Sequence, residues 1–108
     1  MIKLKEILIP NLLYHVADEE NLSSIRKEGI STRHSNYGNV VFLFKDKREI
    51  KIAIKYWIGW TTGRNLVILT INPHGLSLVP TKDKRAEKIE ILSYETIPWS
   101  NVIDVEYI

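Results

Sequence analysis

Apolar residues in this chain fall into short blocks with two different spacings, and the spacings assign the elements. "LLYHV" (12–16) and "VVFLF" (40–44) are nearly continuous apolar runs, as expected of strands covered on both faces. "NLVILTI" (65–71), rich in β-branched residues, is the strongest strand in the sequence. "LSLV" (76–79), "KIEILSY" (88–94) and "VIDVEYI" (102–108) read as further strands. "IKLKEILI" (2–9) is a first strand or a lead-in, ended by Pro10, which lacks a backbone donor.

Two stretches change to helical spacing. In "ADEENLSSIRKEG" (17–29), Asp18 or Asn21 is a candidate cap, and Leu22 and Ile25, with Ala17, supply the apolar stripe. Gly29 stands where a helix C-cap takes a positive φ. Farther on, Asp46 and Glu49 form a D-x-x-E capping pattern ahead of "IKIAIKYWIGW" (50–60). Ile50, Ala53, Ile54, Trp57 and Ile58 lie on one helical face; "EIKIAIKYW" also alternates as a strand would, and the cap decides for helix. "STRHSNYGN" (31–39) is a polar loop, "NPHG" (72–75) a turn, "TKDKRAE" (81–87) a solvated connection and "TIPWSN" (96–101) a turn. The order is strand, helix, strand, helix, then strands only, which gives an α+β fold rather than a doubly wound parallel sheet. No GxGxxG or GKS/T stretch occurs, so a phosphate-cradling nucleotide fold is not supported.

Length and composition narrow the picture. At 108 residues and 44% hydrophobic, the chain is expected to be a single domain over 1–108 with one core. No apolar run approaches the ~20 residues of a membrane span, and the opening segment lacks the apolar centre of a signal peptide. The expected location is the cytoplasm, with no membrane partner. The absence of cysteine excludes disulfides and thiolate chemistry. A net charge of +2 is too weak to declare a nucleic-acid binder.

Three separated places carry candidate chemistry. Tyr14-His15 is the first: a neutral imidazole offers one donor and one acceptor, which suits a ribose diol. A core histidine satisfied by backbone explains the same residue. The second is Glu90, either a solvated charge on a half-exposed strand or a carboxylate that stabilises positive charge at an anomeric carbon. The third joins Arg33, a candidate phosphate contact, to the rings of Phe42, Phe44, Tyr56 or Trp57, any of which can stack on a heteroaromatic group or simply fill the core. His34 and His74 lie on turns without partners at metal-ligand spacing, which argues against a metal site.

The order and spacing of these places resemble the small ADP-ribosyltransferase-like proteins. "LYHVADEENLSSIRKEGI" is similar to their first motif, a strand ending in Tyr-His followed by an "ENLxSIxxEGI" run. "NVVFLFKDKREIKIAIKYW" resembles their second region, and "EILSYETIPWSNVIDVE" their third, with "IP" seven positions after a glutamate. DNA-modifying ADP-ribosyltransferase toxins share that spacing, and the match spans about residues 12 to 107. The resemblance implies split β-sheets with two short helices, gripping NAD+ as substrate in the cleft between them. It implies that Glu90 is the catalytic carboxylate and that His15, beside Tyr14, holds a ribose hydroxyl. Val16 would offer its backbone to the nicotinamide amide, Arg33 would touch the pyrophosphate, and Tyr56 would stack on nicotinamide. Phe42 or Phe44 stands near the family's tyrosine. His15 and Glu90 are therefore expected to meet in one groove.

The implied reaction is mono-ADP-ribosyl transfer to a macromolecular acceptor, nucleic acid or protein. Lys88 occupies the position where arginine-modifying members carry an acidic residue or glutamine, so arginine is not the expected acceptor. Two alternatives stay open: a catalytically degenerate NAD+- or ADP-ribose-binding module, and an RNA 2′-phosphotransferase-like enzyme.

Overall fold

A computed structural model describes residues 10–32, 40–56, 65–81 and 90–108, with side chains to residue 53 in the second span. Its elements are β1 (Leu13–Asp18), α1 (Leu22–Glu28), β2 (Val41–Phe44), α2 (Lys47–Tyr56), β3 (Leu66–Ile71), β4 (Leu78–Pro80), β5 (Glu90–Ser93) and β6 (Val102–Tyr107). Short 3₁₀ turns at Glu19–Asn21 and Trp99–Asn101 precede α1 and β6. The six strands form one sheet in the order β4-β5-β2-β1-β3-β6, every neighbouring pair antiparallel. The fold is therefore α+β with two short helices, as the sequence order predicts. No helix among the described residues is long and apolar enough to cross a membrane.

The pairing is uneven across the sheet. β1 and β3 are registered from Leu13 opposite Ile71 to Asp18 opposite Leu66, and β3 continues the ladder into β6. β2 and β5 are registered from Val41 opposite Ser93 to Phe44 opposite Glu90, with β4 along the outer edge of β5. Between these two three-stranded wings, β1 and β2 share a single registered pair, Tyr14 opposite Phe44. The seam is closed at that pair and β1 runs on to Asp18 without a registered partner in β2.

Alternation sends side chains to two apolar layers. Leu13, Val41, Leu43, Val67, Leu69, Ile71 and Ile91 pack beneath α1 with its Leu22 and Ile25. Val16, Phe44, Leu66 and Ile68 pack on the other face against Ile50 of α2, with Tyr14 and Ala53 at the margin. β3 is covered on both faces, which explains its unbroken apolar run; all six of its residues are buried.

Local chemistry fixes the ends of the helices. Asp46 caps α2: its Oδ1 accepts from the Arg48 backbone N–H at 2.9 Å, and its carbonyl accepts from Glu49 N–H at 3.1 Å. The predicted caps of α1 behave differently. Neither Asp18 nor Asn21 makes a side-chain capping bond. The 3₁₀ turn carries the chain into α1 instead, pinned by Glu19 N–H donating to the Asn65 carbonyl at 2.8 Å. Gly29 ends α1 at φ +83° and ψ −179°, a conformation open essentially to glycine alone. This turn lets Ile30 and Ile97 exchange backbone hydrogen bonds of 2.8 and 3.0 Å, tying the exit of α1 to the β5–β6 connection.

β4 begins two residues later than the apolar run "LSLV" suggests, because Leu76 N–H closes the Pro73 turn at 3.1 Å and the ladder opens with Leu78 opposite Ser93.

Candidate functional site

Of the candidate residues, Tyr14, His15, Val16, Phe42, Phe44 and Glu90 lie on β1, β2 and β5, the strands at and beside the seam. Thr70, Tyr14, Phe44 and Glu90 stand in one lateral row across β3, β1, β2 and β5, since each is registered opposite the next. Two strand spacings of about 4.8 Å separate the β1 and β5 members, so the row from Tyr14 to Glu90 is about 10 Å long. Residues directly opposite in an antiparallel sheet share a face. Tyr14, Val16, Phe42, Phe44 and Glu90 therefore project toward α2. Phe44 and Val16 are buried there, while Tyr14, Phe42 and Glu90 are half-buried.

His15 follows the opposite parity, with Leu13 and Ala17 on the α1 face. Its Nδ1 donates across the seam to the Phe42 carbonyl at 3.0 Å. Because a carbonyl only accepts, Nδ1 carries the proton and Nε2 of the neutral ring is an acceptor. Desolvation by the surrounding protein pushes this imidazole below the ordinary histidine range, and the Phe42 hydrogen bond opposes that effect without overcoming it. The ring is thus held neutral, with one nitrogen fixed by the backbone of the other wing.

His15 also lines a pocket of about 120 Å³ between β1 and α1. Ala17, Asp18, Asn21, Ser24 and Glu28 contribute to its wall, and the Gly29–Ser31 segment completes the lining. Asn21, Ser24 and Glu28 carry no motif that marks them individually. Their i, i+3, i+7 spacing places them on one helical stripe beside the apolar Leu22–Ile25 stripe, and that second periodicity is the signal that marks them as a group.

The expectation that His15 and Glu90 meet in one groove is not met by the register. They lie at neighbouring levels of the same seam but leave it toward opposite faces, because His15 is one residue out of phase with Tyr14, which heads the row to Glu90. Arg33 lies outside the described residues, as does Trp57. Tyr56 is the last described residue of α2, on the Glu90 face of the sheet, and its side chain is outside the description. A second charged cluster sits at the far edge of that face. Lys47 at the start of α2 pairs with Glu106 on β6, which raises the lysine and lowers the carboxyl, with Asp104 and Tyr14 adding to the field at Lys47.

No protein-family model matches the chain, and no curated protein matches it.

Proposed function

We propose that the chain binds NAD+ across the seam between its wings and transfers ADP-ribose from it to a macromolecular acceptor. The observation that carries this reading is the lateral row Tyr14–Phe44–Glu90 at the closed end of the seam, with the His15 pocket at the neighbouring level on the opposite face of the sheet. A dinucleotide is long enough to straddle such a joint. One ribose would lie against the neutral imidazole on the α1 face, and the nicotinamide end would lie among the rings on the α2 face, near the carboxylate.

In that arrangement the bond between the anomeric carbon and nicotinamide breaks, and its electron pair leaves with nicotinamide. The sugar acquires oxocarbenium character, which a carboxylate at position 90 stabilises. An acceptor oxygen or nitrogen then donates its lone pair to the same carbon and releases a proton. Val16 would present backbone to the nicotinamide amide along the stretch of β1 that has no registered partner in β2.

The opposite orientation of His15 and Glu90 favours a second reading, a domain that binds NAD+ or ADP-ribose without turnover. One experiment separates the two. The chain is incubated with labelled NAD+ and nucleic-acid or protein fractions, with nicotinamide release and calorimetric binding followed in parallel. Transfer that Glu90→Ala lowers by about 10²–10³ while binding persists supports the enzyme. Binding without release or label transfer supports the module. Absence of binding by NAD+ and ADP-ribose alike would sink both.

A further inference from the structure

The two edges of the sheet are built differently. β4 is three residues long and ends in Pro80, so its short ladder and missing N–H discourage further pairing. β6, on the opposite edge, is six residues long and holds no proline. No described strand pairs with its outer side. Ile108 N–H donates inward to the Leu66 carbonyl at 3.1 Å, and alternation then turns the backbone groups of Val105 and Tyr107 outward. The register shift at Thr70/Ile71 takes up Ile103 and leaves residues 104–107 regular. Among the described residues, three of the six exposed large apolar side chains, Ile103, Tyr107 and Ile108, lie on this strand or just past it. Such an edge invites an added strand.

The side chains of β6 specify which strand. Val105 and Tyr107, opposite Leu69 and Val67, share the α1 face, while Asp104 and Glu106 share the α2 face. Glu106 pairs with Lys47; Asp104 makes no ion pair among the described residues. The complement is a strand that alternates aliphatic and basic side chains with the same period of two. The chain carries that pattern once, as "IKLK" at 2–5, within the stretch whose spacing reads as a strand or a lead-in. Residues 1–9 lie outside the described residues.

Direction and reach agree with this match. Leu13 is registered with Ile71 and Ile71 with Val102, so β1 and β6 start level, about 10 Å apart, and run parallel. A segment that lies along the outer side of β6 and then enters β1 must run antiparallel to β6. Residues 6–12 supply up to about 23 Å of chain, against about 14 Å for three strand spacings.

We propose that residues 2–5 add to the outer edge of β6 as an antiparallel strand of the same molecule. Lys5 stands opposite Asp104, Leu4 opposite Val105, Lys3 opposite Glu106 and Ile2 opposite Tyr107. Leu4 and Ile2 then exchange backbone hydrogen bonds with Val105 and Tyr107, and both lysines meet carboxylates at the closer, non-hydrogen-bonded positions. A slip of one residue puts the lysines on the apolar face, and a slip of two leaves a single charge pair. The proposal does not depend on the nucleotide reading.

Residue-resolved amide exchange of the full chain tests it without any variant. The outward amides of Val105 and Tyr107 should exchange about 10²-fold or more slowly than in an unstructured chain, as the inward amides of Glu106 and Ile108 do. Fast exchange at Val105 and Tyr107 beside slow exchange at Glu106 overturns the proposal. Lys3→Glu combined with Lys5→Glu sets like charges opposite one another and should cut the outward protection by about tenfold. Asp104→Lys added to Lys5→Glu should restore what the single reversal loses. Protection that neither change moves overturns the choice of strand. Sedimentation at the same concentration should give a monomer; protection that rises with concentration alongside a dimer mass assigns the strand to a second copy and overturns the in-chain register.

Discussion

Replacing Gly29 by alanine should be among the most damaging single-atom additions in this protein. A Cβ at this position would lie 2.4 Å from the Ile97 carbonyl oxygen and 3.1 Å from Thr96 Cγ2. The carbonyl is the acceptor for Ile30 N–H, so relief of the clash must stretch or break the Ile30–Ile97 pair. Strain from the disfavoured backbone costs about 1–3 kcal/mol, and each backbone hydrogen bond lost costs about 1 kcal/mol. The sum, about 3 kcal/mol, is a large part of the roughly 5–15 kcal/mol that holds a domain together. Gly75 is the internal control: its φ is +79°, but a Cβ added there would meet nothing within 4 Å. Gly75→Ala should therefore cost only about 1 kcal/mol. Urea unfolding at constant m measures both variants. A Gly29→Ala loss no larger than that of Gly75→Ala would refute the argument, because the decisive difference between the two sites is the contact with Ile97. Since Gly29 also lines the His15 pocket, its replacement should distort that pocket as well.

Other outcomes follow from the same geometry. His15 has its folded-state pKa lowered below 6.5, so the unfolded chain binds the proton more readily; stability is fully present above pH 6.5 and is lost as pH falls from there toward the folded value. A His15→Gln variant should lose that part of the pH dependence in denaturant titrations, and an unchanged slope would count against it. Asp46→Ala removes the cap of α2 and should lower the melting temperature by a few degrees, with helical circular dichroism reporting the fraying. Asn101 Nδ2 donates to the Asn72 and His74 carbonyls at 2.8 and 2.9 Å, and Asn101→Ala should cost about 1 kcal/mol by loosening the β3–β4 turn.

The strands were legible wherever burial decided them. "NLVILTI" and "VVFLF" are apolar on both faces because a helix layer covers each side of the sheet there. The α2 cap was legible because Asp46 and Glu49 act within a few residues of one another. The entry of α1 was not, since it is set by Asn65, far away in sequence, and a local pattern cannot show a remote carbonyl. The same limit governs the site. Alternation along β1 correctly separates His15 from Tyr14, yet which of them shares a face with Glu90 depends on one pairing, Tyr14 with Phe44, that no local spacing encodes. The polar wall of α1 was present as a helical stripe, but solvated helix faces carry the same residue types, and only the pocket beside β1 distinguishes this one.

The lone rung between β1 and β2 has a mechanical consequence. Amide exchange should divide the molecule there, with the six-rung β1–β3 ladder opening as one cooperative unit and β2 with β5 as another. The apolar layer under α1 crosses the joint and keeps the halves attached. The hydrogen bond from His15 to the Phe42 backbone carbonyl crosses the joint as well, so separating the two units must break that bond and part this layer while leaving the rungs of either ladder intact.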